Sequence, residues 1–227
     1  MPLRRLTLAF CCVAAALIAQ TYPPPFPRDA ARKLFENDRV SVWDVTWPKN
    51  QPTAMHEHPV DQLSVTLAGG TVRVTRLGGT PLINYSQVGS VAFTPKGTVH
   101  IEEGISDVPQ RKIMLQLKTS QPTLQTSAGA IPPAFPREGA RQLMDNARIT
   151  AWDFTWKSGQ KTARHVDLYD AVIVFLEGGT IRYVTERGAS KEISGVSGEA
   201  AYLARNPDPY TEEAVQGSPH AVIVELK

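Results

Sequence analysis

The stretch from Pro24 to Trp47, PPFPRDAARKLFENDRVSVWDVTW, returns at Pro133 to Trp156 as PAFPREGARQLMDNARITAWDFTW, an offset of 109 residues without a gap. Carried on to Arg73 and Arg182, the match holds 24 identities in 50 positions, far above chance. A period of this size makes each copy a folding unit of about 100 residues, so the architecture is two similar modules. The expected boundaries are 21–118 and 133–227, joined by a linker over 119–132 that is rich in small and turn-forming residues.

Each module reads as β. In VSVWDVTW, Trp43, Val45 and Trp47 alternate with polar or smaller residues, as do Trp152, Phe154 and Trp156 in the copy; period two is the mark of a strand. These aromatics are expected in the core. LSVTLAGGTVRV and VIVFLEGGTIRYV each place a Gly-Gly pair between two strand-like runs, which predicts hairpins at Gly69-Gly70 and Gly178-Gly179. No long segment carries a 3.6-residue apolar period. The fold class expected is all-β, with short strands arranged as a barrel or jelly roll.

The first twenty residues are a separate matter. Arg4 and Arg5 precede an apolar run, Leu6 to Ile18, and small residues follow. This is the pattern of a secretory signal peptide over residues 1–20, and the run is short beside the roughly 20 residues of a spanning helix. A retained anchor is the other reading. Phe10 before Cys11 is too bulky for a lipid-attachment signal. The expectation is an exported protein, periplasmic or secreted, with no stable membrane insertion after processing. Cys11 and Cys12 are the only cysteines, so the mature protein has no disulfide and depends on its core. Removing the leader lowers Lys plus Arg from 24 to 22, against 22 Asp plus Glu. A near-neutral chain without a basic patch argues for no nucleic acid partner.

The chain has five histidines. His56 and His58 are two apart, so on a strand both point to one side. His100 follows in GSVAFTPKGTVHIEEG. Imidazoles grouped in this way suit a divalent first-row metal.

At these residues the sequence resembles the cupins. Their first motif, G-x5-H-x-H-x3/4-E-x6-G, is matched by Asn50 in the first glycine's place, then His56, His58, Gln62 and Gly69. Their second, G-x5-P-x-G-x2-H-x3-N, is matched by Gly89, Pro95, Gly97 and His100, with Gly104 where Asn is usual. The resemblance covers both modules and implies two tandem cupin-type jelly-roll β-barrels. It implies His56, His58 and His100 as metal ligands with position 62 as the fourth. There Gln replaces the usual Glu; Asp61 is the alternative after a one-residue shift. A neutral fourth ligand leaves more positive charge on the ion and favours anionic ligands. Fe, Mn, Ni, Cu and Zn all accept such a set.

At the same offset His56 maps to His165, His58 to Asp167 and Gln62 to Ala171, while His100 falls at Pro209, or at Tyr210 if one residue is inserted. The second copy is therefore expected to have lost the site, and His220 to be structural. If Gln62 faces inward, so do Ser64 and Thr66, the candidate substrate-binding residues; their counterparts Ile173 and Phe175 are apolar. The first lumen is read as polar and open, the second as filled. The outward rows Leu63/Val65/Leu67 and Val172/Val174/Leu176 need cover from the other module or from a second subunit, as in a homodimer.

The resemblance points to a metal-dependent, dioxygenase-like oxidoreductase acting on a small-molecule ligand, an aromatic or enolic compound. Two further classes stay open: a non-catalytic sensor or binder of carboxylates or carbohydrates, and a metal-dependent isomerase or hydrolase. The last needs a general base, for which Glu102 has the right strand parity and Glu57 does not.

Overall fold

The computed structural model describes residues 20–120 and 131–227. The expected leader up to Ala19, with both cysteines, and most of the expected linker lie outside the described residues. Among the described residues there are fifteen strands and no helix. Among the described residues no helix is long and apolar enough to cross a membrane.

The first copy holds β1 (Ala31–Glu36), β2 (Val40–Trp47), β3 (His56–Glu57), β4 (Asp61–Ala68), β5 (Gly70–Arg76), β6 (Leu82–Ser86), β7 (Val91–Thr94), β8 (Val99–Gly104) and β9 (Gln110–Leu117). They form two antiparallel sheets, in the orders β1-β2-β9-β4-β7 and β3-β8-β5-β6. The second copy holds β10 (Arg141–Asp145), β11 (Ile149–Thr155), β12 (Asp170–Thr185), β13 (Ser190–Gly195), β14 (Ala200–Leu203) and β15 (Tyr210–Leu226). Their order is β10-β11-β15-β12-β13, with β14 also on β12. Here β12 and β15 run unbroken through positions that the first copy divides between β4 and β5 and between β8 and β9.

The hairpin expectation at the Gly-Gly pairs is corrected. β4 pairs with β7 and β9, and β5 with β6 and β8, so Gly69-Gly70 passes the chain from one sheet to the other. A Cβ on Gly70 would stand 2.8 Å from Ser106 Oγ and 3.1 Å from Gln110 Cβ, so the crossing is too close for a side chain. In the second copy β12 continues straight through Gly178-Gly179.

Strand alternation sorts the apolar residues into three groups. Trp43, Val45, Trp47, Phe26, Val72 and Met114 pack inside the first copy. Trp152, Phe154, Trp156, Ala171, Ile173 and Phe175 pack inside the second, with Phe135, Ile181 and Ile223. The opposite faces meet each other: Val40, Val42, Leu63, Val65, Ile113 and Leu115 form one buried cluster with Ile149, Val172, Val174, Leu176, Val222 and Val224. The outward rows are thus covered by the other half of the same chain. Each such side chain withdrawn from water contributes about 1.5–3 kcal/mol.

Two arginines at the repeat offset clasp this seam. Arg39 Nε donates to Asp170 Oδ2 at 3.0 Å and Arg39 Nη2 to the Leu226 carbonyl at 2.8 Å. Arg148 Nη2 donates to the Leu117 carbonyl at 3.1 Å, with its Nε 3.5 Å from Asp61 Oδ2.

Candidate metal centre

The segment from Pro48 to His58 is zipped onto β8. Asn50 N–H donates to the Gly104 carbonyl at 2.8 Å, Thr53 N–H to Glu102 at 2.8 Å and His58 N–H to Thr98 at 3.0 Å. Register then sets His56 directly opposite His100 across the β3–β8 pair. The turn that starts the segment needs a left-handed residue. Asn50, at φ 59°, holds the position that Gly159 holds in the second copy at φ 72°. Asn is among the few side chains that tolerate this region, so it stands where the motif has glycine.

The three histidines converge. All are buried, at 3%, 2% and 5% exposure for His56, His58 and His100. One ring nitrogen from each lies within 4.8 Å of the other two. His58 Nε2 and His100 Nε2 are 2.9 Å apart. Nitrogens held about 2.0–2.1 Å from one ion stand at about this separation. His56 Nδ1 lies 3.0 Å from the Ala54 carbonyl, which can only accept, so Nδ1 carries the proton and Nε2 the lone pair. That Nε2, His58 Nδ1 and Gln62 Oε1 are buried without a partner. Burial, then the neighbouring His100 and His56, pushes His58 down to about 4, against Glu102; burial likewise lowers His100. Both rings are therefore neutral at pH 7, as a metal ligand must be. A buried set of imidazoles with unpartnered ring nitrogens fits a divalent transition metal.

The other expected residues are placed as follows. Gln62 is buried on β4, opposite Thr94 on β7. Asp61 faces the seam: Oδ1 accepts from Lys96 N–H at 2.9 Å and Oδ2 lies against Arg148. Ser64 lines a cavity of about 450 Å³ together with His100, Glu102, Trp47, Gln110 and Lys112. Thr66 is buried and its hydroxyl accepts from Ser90 Oγ at 3.1 Å; Ser90 is the one of the two that lines the cavity. Glu102 Oε2 accepts from Trp47 Nε1 at 3.2 Å, which fixes the carboxylate at the cavity wall. His220 bonds Asp153 Oδ1 at 2.6 Å.

Lys112 is the cavity residue that the sequence reading missed. On β9 it shares a face with Met114, while Ile113 and Leu115 enter the seam. The signal was present in the repeat: Lys112 corresponds to Ala221, so the cation is found only in the copy with three histidines.

In the second copy Tyr210 pairs with His165 as His100 pairs with His56, which settles the one-residue ambiguity in favour of Tyr210. His165 repeats the contact of His56, with Nδ1 2.8 Å from the Ala163 carbonyl. Tyr210 O–H donates to Asp167 Oδ2 at 2.6 Å, so the two replaced ligands satisfy each other. Glu212, the counterpart of Glu102, accepts from Trp156 Nε1 at 2.8 Å and from Arg137 Nη1 at 2.6 Å. Burial alone would raise its carboxyl, but Arg137 and His165 hold it at about 2. A cavity of about 420 Å³ opens beside Asp167, Tyr183 and Tyr210, clear of the packed row Ala171, Ile173 and Phe175.

No family model matches the chain, and no curated protein sequence matches it. Solved structures do. A cupin 2 conserved barrel domain protein from Leptotrichia buccalis is 14% identical at TM-score 0.53, over 87% of this chain and 88% of that one. AerE from Microcystis aeruginosa is 12% identical at TM-score 0.65, over 91% and 99%. Oxalate decarboxylase from Bacillus subtilis, described with Mn(II) centres, is 10% identical at TM-score 0.60, over 84% and 69%. At such identities the likeness is one of fold: the chain is an all-β protein with the fold of the cupin domain proteins.

Proposed function

We propose that the protein binds one divalent transition metal through His56, His58 and His100, with Gln62 as the fourth ligand, and acts as a dioxygenase-like enzyme on a small aromatic or enolic substrate. The observation that carries this reading is the buried imidazole trio, with unpaired ring nitrogens on His56 and His58, whose third member, His100, stands in the wall of a cavity of ligand size. When bound, the ion supplies Lewis acidity and open positions for a ligand and O2. The chain's own part is to hold the ligand: Ser64 offers a hydroxyl at the wall, and Thr66 acts through Ser90. The Mn(II) centres of the oxalate decarboxylase with a similar fold make Mn²⁺ the first ion to try, ahead of Fe, Ni, Cu and Zn.

One observation favours a second reading, a metal-dependent isomerase. Glu102 is fixed in the cavity wall by Trp47 and is placed to carry a proton between two ligand atoms. A non-catalytic binder is the third. In all three readings the chain is two tandem jelly-roll units, 21–118 and 133–227, exported after loss of its leader.

The test is metal analysis of protein purified without chelators, with His56→Ala and His165→Ala in parallel. The expected result is about one ion per chain in the wild type and in His165→Ala, and a loss of 100-fold or more in metal affinity in His56→Ala. Equal loss in both variants would overturn the assignment to the first copy. Oxygen uptake on a panel of phenols and diketones supports the oxygenase; turnover indifferent to O2 supports the isomerase; tight binding without consumption supports the binder.

A further inference from the structure

We propose that the cavity beside the three histidines takes a small organic anion, a carboxylate or an enolate, and that Lys112 holds its charged group. The proposal deepens the reading above and rests on it only for the ligand's metal-facing end.

Lys112 stands on β9 with its side chain in the cavity wall. Its Nζ donates to Ser86 Oγ at 3.2 Å and lies 5.9 Å from the centre of the Trp47 ring. An ammonium has three N–H donors, and Ser86 takes one. Among the described residues, none of the ion pairs includes Lys112. Glu102, on the same wall, is the carboxylate that acts on it, and it does so from beyond contact distance. Burial pulls the ammonium down from its ordinary value, as expected for a cation short of a counter-charge. A group like this is costly to keep inside a protein unless something pairs with it.

The repeat shows that the fold does not need this lysine. At the same ladder position the second copy has Ala221, fully buried, in the half without the histidine trio. Lysine and trio therefore occur together. The remaining wall agrees with an anion. Ser64, Asn84 and Gln110 bring neutral polar groups to the cavity, and Arg76 stands exposed at its rim, opposite His100 in the β5–β8 pair. Lys112 and Arg76 outnumber Glu102, and a divalent ion would add to the excess. A neutral ligand would leave Lys112 unpaired. A carboxylate or enolate fills its remaining donors, and about 450 Å³ holds a molecule of the size of benzoate or somewhat larger.

The experiment is titration calorimetry of Mn²⁺-loaded and metal-free protein with benzoate and with its neutral isostere benzamide, on the wild type and on Lys112→Met. Metal content is measured on every sample, and thermal melts confirm folding. Benzoate should bind the wild type at least tenfold more tightly than benzamide. Lys112→Met should lose at least tenfold in benzoate affinity and nothing for benzamide, with metal content unchanged. Lys112→Arg should recover part of the loss. Equal affinity for the two probes in the wild type, equal benzoate affinity in wild type and Lys112→Met, or no benzoate binding at all would each overturn the proposal. Should the protein hold no metal, the metal-centre reading fails by itself, and the probe selectivity of the metal-free protein still decides the role of Lys112.

Discussion

Thr66, Ser86 and Lys112 in the first copy answer to Phe175, Gly195 and Ala221 in the second. The three positions are neighbours in both halves. Thr66 faces Lys112 across β4 and β9, and Phe175 faces Ala221 across β12 and β15. Ser86 and Gly195 lie on the strands that follow. The changes are complementary. A Cβ on Gly195 would lie 2.3 Å from Phe175 Cδ2, so the glycine is there to admit the ring. Phe175 is 1% exposed and packs with Ala221 and Ile173. Three small or polar side chains leave this part of the first lumen open; one large ring with two minimal neighbours fills the same part of the second, whose cavity of about 420 Å³ lies beside Tyr183 and Tyr210 instead. The same strand positions thus stand open or filled according to three residues.

This comparison is open to direct attack. Phe175→Ala removes the ring from a site shaped around it and should cost about 3–5 kcal/mol in urea unfolding, while leaving the metal content of the first copy as it was. The converse, Thr66→Phe, puts the ring where Ser86 and Lys112 still stand. It should cost about 1–3 kcal/mol through overpacking and abolish benzoate binding. Adding Ser86→Gly and Lys112→Ala should restore stability but not binding. A Phe175→Ala variant within about 1 kcal/mol of wild type would mean that the second lumen collapses around the loss and is not set by this ring.

A second contrast concerns buried charge. Trp43 Nε1 donates to Gln116 Oε1 at 3.1 Å, and Trp152 Nε1 to Glu225 Oε2 at 2.8 Å. The positions are equivalent, so the chain makes the same bond to an amide in one half and to a carboxyl in the other. Burial raises Glu225 from 4.5 to about 7, and the single Trp152 bond only partly opposes it. The sign follows from the proton count. Between these values the folded chain holds a proton that the unfolded chain has lost, so stability is full below about pH 4.5 and falls as pH rises through 7. Glu225→Gln copies the first half and removes the dependence. It should match the wild type at pH 4.5 and exceed it by about 2–3 kcal/mol at pH 8, read as a higher melting temperature. A variant that gains nothing at pH 8 would show that Glu225 is ionised in the folded protein with a partner of its own.

These pairs also show where the sequence was legible. The alternation of Trp43, Val45 and Trp47, and of Leu63 and Val65 with Gln62 and Ser64, places each residue on its observed face because a strand has only two faces. The histidine spacing led to the cluster for the same reason: His56 and His100 need only a paired register to meet. Three features were beyond that logic. A Gly-Gly pair between two apolar runs reads as a hairpin, and nothing local tells a turn between partners from a crossing between sheets. The extra residue that brings Tyr210 opposite His165 lies between Asn206 and Tyr210, in a turn that constrains neither count nor register. Lys112 reads as an exposed strand lysine unless its counterpart Ala221 is set beside it, because the cavity wall exists only once both sheets have closed over it.

The smallest difference between the halves is the left-handed turn before the site. Pro48 to Gln51 and Lys157 to Gln160 close with the same bond, Gln51 N–H to the Pro48 carbonyl at 3.4 Å and Gln160 N–H to Lys157 at 3.1 Å. Between them stand Asn50 and Gly159, both at positive φ. A side chain with a Cβ pays about 1–2 kcal/mol in this region, and Asn pays least. Gly159→Ala should therefore lower stability by about 1 kcal/mol, Gly159→Asn by roughly half as much, and Asn50→Gly should change it by no more than about 0.5 kcal/mol. The turn in the first copy also carries the segment that ends in His56, through the Asn50 N–H bond to Gly104. Asn50→Pro removes that N–H and cannot adopt φ 59°. It should weaken metal binding together with stability, while Gly159→Pro should weaken stability alone. Equal effects on metal content from the two proline variants would mean that the turn does not position the histidines.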